Sequence, residues 1–170
     1  MSEMCSVRPW PTHCWEALLG ILMAGDSAAL GSWIGNHVGL DPLAWDDLAL
    51  AEAKFAADAY EAVGVEMARR SGITGFAGVQ LLPMPGVETE PLMRDVLLLV
   101  TMSSRGDGPG SAGVIAAARE AGMLEELCGA LGAAASQALQ VESGMLGGVL
   151  VSGPGTYQGL IRTRRERELS

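Results

Sequence analysis

The sequence predicts a mainly α fold, a bundle of about five to six helices in a single domain over residues 1–170. Three observations carry this. One long segment, Asp41 to Arg70, keeps a helical alternation of apolar and charged residues throughout. Shorter apolar stripes at i, i+3, i+4, i+7 spacing lie on either side of it. Glycine steps separate the stripes where one helix would stop and the next begin. A chain of 170 residues with 49 % hydrophobic content suffices for one packed core and is short for two. An α+β fold is the alternative, because two short apolar runs also read as strands.

Residues 1–10 read as a lead-in. Thr12 suits the start of a helix to about Ala24, with Trp15, Leu18, Leu19 and Leu22 on one face. Gly25-Asp26 breaks it, and Asp26 or Ser27 caps a second helix. Leu30, Trp33, Ile34 and Val38 form its stripe, and Gly39 ends it.

Asp41-Pro42 is a strong start for the long helix. The Asp side chain accepts from a free backbone N–H, and Pro fits the first turn, where its missing N–H is not needed. At 100° per residue, Asp47, Lys54, Asp58 and Glu61 fall on one side. Trp45, Leu48, Phe55, Ala59 and Val63 fall on the other. Arg69-Arg70 suit the negative end of the helix dipole, and Gly72 suits the stop.

Glu52 and Glu66 break that pattern by falling inside the apolar arc. At ~1.5 Å per residue they sit about 21 Å apart, too far to share a metal or a proton. The plain expectation is that each lies at the edge of the stripe and reaches water. The sharper one is that Glu52 is buried, paired with an Arg or His, and part of a site.

Residues 71–90 are a Gly/Pro-rich connector in which only Val79–Leu82 resembles a strand. Thr89-Glu90-Pro91 starts another element; Val96–Met102 fits a helix or a buried strand equally. Arg105–Gly113 reads as a glycine-rich loop, Val114–Ala121 as a short helix, and Met123–Val141 as a longer one. Leu127–Val141 carries no formal charge, which suits burial nearly all round or a partner chain. A small hairpin is expected within 147–161, and 162–170 reads as a solvated basic tail. Segments 11–70 and 91–142 share an order of elements, which suggests a duplicated three-helix unit.

The charge of −9 disfavours a nucleic-acid binder, which needs clustered Lys and Arg. Without Arg162, Arg164, Arg165, Arg167, Glu166 and Glu168, the body carries 7 basic and 18 acidic residues. No apolar run reaches the ~18 residues of a membrane span, and Met1–Trp10 lacks a leader pattern, so a cytoplasmic location is expected. Cys5, His13, Cys14 and His37 match no zinc spacing, and no metal or cofactor is expected.

Gly108, Gly110 and Gly113 spell G-x-G-x-x-G, the pattern that lets a backbone approach a pyrophosphate at a helix N-terminus. Pro109 removes one donor from that cradle, and no acidic strand end follows about 20 residues on. His37 suits a helix C-terminus as a cation and is, with Glu52, the other candidate site residue. No catalytic set emerges. The expectation is a non-enzymatic interaction, adaptor or regulatory protein with a protein partner or self-association. The alternative is a small enzyme or ligand-binding domain that uses the 106–113 loop for a phosphate-bearing ligand.

Overall fold

Side-chain caps and left-handed glycines set the helix boundaries. The structure is a computed structural model that describes residues 12–39, 41–70, 72 and 91–145. Six helices follow one another: α1 (Thr12–Ala24), α2 (Ser27–His37), α3 (Pro42–Arg70), α4 (Pro91–Arg105), α5 (Gly108–Glu120) and α6 (Leu124–Met145). Among the described residues there is no strand, and the mainly α bundle expected from the sequence is the observed fold. The lead-in, the connector with Val79–Leu82, the 147–161 hairpin and the basic tail lie outside the described residues.

The turn geometry recurs at a fixed offset. Gly25 and Gly106, 81 positions apart (25 to 106), both have positive φ, at 65° and 69°. Asp26 accepts from Ala29 N at 3.0 Å, and Asp107 accepts from Gly110 N at 2.8 Å. The backbone N–H of Asp26 donates to Ile21 O, and that of Asp107 to Met102 O. Each cap satisfies a donor that the first helical turn leaves free. Asp26→Ala and Asp107→Ala are each expected to lower stability by about 1 kcal/mol. A thermal melt should show that as a drop of roughly 2–4 °C for a domain of this size.

Two stretches that the sequence leaves ambiguous are helical. Val96–Met102 is helical, inside α4, with Val96, Leu99 and Val100 buried. The stretch read as a loop up to Gly113 is largely the first turns of α5, which begins at Gly108. Glycine disfavours a helix by about 1 kcal/mol per residue. Here the Asp107 cap, Pro109 in the first turn, and the buried Ser111 and Ile115 outweigh that penalty.

The core lies between the two long helices. Cys128 Sγ on α6 donates to Trp45 O on α3 at 3.5 Å, and Glu52 on α3 lies against Gly132 on α6. These contacts come in the same order on both helices, so α3 and α6 run side by side in one direction. The buried α6 residues Leu127, Leu131, Gly132, Ala135, Leu139 and Glu142 have counterparts 83 positions earlier (44 to 127). Those counterparts, Ala44, Leu48, Ala49, Glu52, Ala56 and Ala59, are buried as well. The first helix of each half reaches across: α1 packs chiefly on α6, and α4 chiefly on α3. Trp15 meets Phe55 edge-on, with ring centroids 6.5 Å apart. Because the halves exchange their first helices in this way, neither encloses its own apolar stripe.

Candidate functional site

Glu52 is the residue that the packing does not explain. Its position in the apolar arc of α3 carries it into the core, where it is 0 % exposed, between Ala51 and Ala53. Neither carboxyl oxygen has a hydrogen-bond partner among the described residues. Lys54, the nearest cation in sequence, is committed to Asp58 at 2.7 Å. Burial alone pushes the Glu52 carboxyl well above its ordinary value of 4.5. The expected burial is present, and no Arg or His among the described residues is hydrogen-bonded to it.

Gly132 makes the room for this group. A Cβ there would overlap Glu52 Oε2 and lie 3.4 Å from Leu30 Cδ2. Gly132 also lines an open cleft of about 310 Å³, between the α1–α2 turn and α6. Ile21, Leu22 and Leu30 make its apolar side; Ser136, Gln137 and Gln140 give it polar groups on α6. Gly25 closes one end. Its positive φ favours glycine, and a Cβ there would come within 3.1 Å of Gln140 Nε2. Gln140 Nε2 donates to Met23 O at 3.4 Å, tying α6 to the end of α1. None of the described residues that line the cleft is Lys, Arg or His, and Asp26 stands at its rim.

The other candidates are placed differently. Glu66 sits at the edge of α3, where Arg69 and Arg70 donate to it at 2.6–2.9 Å. The hydrogen bonds from Arg69, then Arg70, lower its carboxyl to about 2. That is a solvated ion-pair cluster, as the plain expectation had it. His37 ends α2; its Nδ1 donates to Trp33 O at 2.8 Å, and its ring stacks on Trp33 at 4.4 Å.

Gly108, Gly110 and Gly113 fall in the first two turns of α5. The Gly110 N–H is taken by the Asp107 carboxylate. A phosphate arriving there would meet that negative charge in the position it needs. Cys128 is buried, and burial followed by the neighbouring Glu52, Asp46 and Glu125 charges pushes its thiol far up. It is a packing residue rather than a thiolate nucleophile. Asp46 pairs with Arg119, joining α3 to α5.

The sequence flagged Glu52 from its angular position and Leu127–Val141, which holds Gly129, Gly132 and Ala133, as an uncharged stretch. It did not bring them together, and it gave no sign of Ser136, Gln137 or Gln140. Among the described residues, no three His, Cys, Asp or Glu side chains converge as a metal site. No described helix is long and apolar enough to cross a membrane. No protein-family model, no curated protein and no solved structure matches this chain.

Proposed function

We propose that this chain is a non-enzymatic binding domain of the regulatory or adaptor kind, and that the cleft between the α1–α2 turn and α6 receives its ligand. One observation supports this reading above the others: a fully buried carboxyl with no hydrogen-bond partner among the described residues lies directly behind the cleft wall at Gly132 and Leu30. A buried glutamate with no partner is destabilising, and a perturbed buried carboxyl beside a cleft fits a site that uses it. A concave, mostly apolar space with a few convergent polar groups is the usual form of a small-molecule site. The N-terminus of α5 is the weaker place for a ligand, because its cap is already a carboxylate.

The test is a fragment screen by amide NMR on the wild type and on Ala133→Phe. Ala133 is exposed on the cleft side of α6, so a larger side chain there fills the cleft without entering the core. Ligands that shift the amides of Gly129, Gly132 and Ser136 in the wild type should leave those of the folded variant unmoved. Equal binding to both proteins, or shifts confined to other surfaces, would refute the assignment.

A further inference from the structure

The geometry points to a short-chain primary alkylammonium as the ligand of this cleft, its ammonium group paired with the Glu52 carboxylate; this rests on the cleft being the binding site. A carboxylate held away from water is stable when a cation and its hydrogen bonds are supplied to it. None of the described residues that line the cleft is basic, and the rim carries Asp26. Without a cation beside it the buried carboxyl keeps its proton; an ammonium ligand supplies the positive charge that holds the group as a carboxylate.

Reach and shape agree with this. Leu30 is only partly buried and belongs to both places: it lines the cleft, and its Cδ2 lies 3.4 Å from the β-position of Gly132, against which Glu52 Oε2 rests. A change of the Leu30 rotamer opens the carboxyl to the cleft. A rotamer change in a partly buried leucine is a fast, small motion. An ammonium has three donors and no acceptor, which matches a carboxylate whose two oxygens are both unused. The hydrocarbon chain then lies along Ile21, Leu22 and Leu30, and the Ser136 hydroxyl is available to the remaining donor. A volume of about 310 Å³ is at the small end of ligand sites, which favours a few carbons over an extended molecule.

The experiment is an amide NMR titration of the full chain with n-butylamine hydrochloride, n-butanol and sodium butyrate, repeated on Glu52→Gln. Gln keeps the size and hydrogen-bonding capacity of the side chain and removes its charge, and circular dichroism checks that the variant is folded. The expected result is saturable shifts at Gly132, Ala133 and Ser136 with butylamine. Butanol should bind at least tenfold more weakly and butyrate not at all, and Glu52→Gln should lose at least tenfold in affinity for butylamine. Butanol binding as well as butylamine, or butylamine binding Glu52→Gln as well as wild type, would overturn the ammonium assignment while leaving the cleft as a site. Neither butylamine nor any fragment of the screen shifting those amides would overturn the cleft itself, and this inference with it.

Discussion

Replacing Glu52 by Met is expected to raise the stability of the protein by about 1–3 kcal/mol near pH 8, the range for relieving a buried polar group that has no partner. Met is unbranched, close in size to Glu, and adapts to the space that Gly132 leaves. For a domain of this length the melting temperature should rise by roughly 2–4 °C for each kcal/mol.

The pH dependence gives the prediction its sign. The folded-state carboxyl is raised above its ordinary value of 4.5. Below that value Glu52 is protonated in both states, and its titration does not disfavour folding. As the pH rises past 4.5 the unfolded chain releases the proton while the folded chain retains it. Wild-type stability then falls relative to the Met variant, by up to about 1.4 kcal/mol per pH unit, until the pH passes the folded-state value. Thermal melts of the two proteins from pH 4 to 9 should diverge upward. A constant gap, or a gap that closes as pH rises, would show that the carboxyl has found a partner. A variant that is more stable and no longer binds is what a core residue used for binding should give.

Gly132→Ala carries the second large effect, and its sign depends on Glu52. In the wild type the added methyl overlaps Glu52 Oε2 and presses on Leu30. Overpacking of this kind costs about 1–3 kcal/mol. With Leu30 in place the carboxyl is fully covered, and the overlap is not relieved by exposure to water. In a Glu52→Ala background the overlapping atoms are gone. The helical preference for Ala over Gly, about 1 kcal/mol, then makes the same substitution stabilising. Urea unfolding of the four proteins of the cycle should give a coupling of roughly 2–4 kcal/mol. Additive effects within about 0.5 kcal/mol would mean that Glu52 and Gly132 do not touch.

Both predictions concern a contact that no reading of one helix could find. Helical projection uses only the chain's own repeat, and it assigned Glu52 and Glu66 to the same apolar arc of α3. The two then met opposite surroundings. Glu66 lies near the end of α3, within reach of Arg69 and Arg70 one turn on, so its partners are local and legible. Glu52 lies at the middle of the α3–α6 contact, and what surrounds it comes from residues about 80 positions away. The uncharged stretch of α6 was open in the same way. Periodicity allowed full burial or a partner chain. The observed helix buries Leu127, Leu131, Ala135 and Leu139 against its neighbours and leaves Gly129, Ala133 and Gln137 exposed at the cleft side.

What the sequence by itself determined is the run of helices and their ends. Asp26, Asp41-Pro42, Gly39, Gly72, Gly106 and Gly122 act within a few residues of where they stand, through caps and left-handed turns, so their meaning is local. The choice between helix and strand at Val96–Met102, and between loop and helix at Gly108–Gly113, fell to the tertiary structure. Short apolar or glycine-rich runs have weak preferences of their own, and packing outweighs them. The cleft was decided there too. It exists because α1 crosses to α6 while α3 lies alongside it, and only that crossing sets an enclosed carboxyl behind a glycine of the opposite helix.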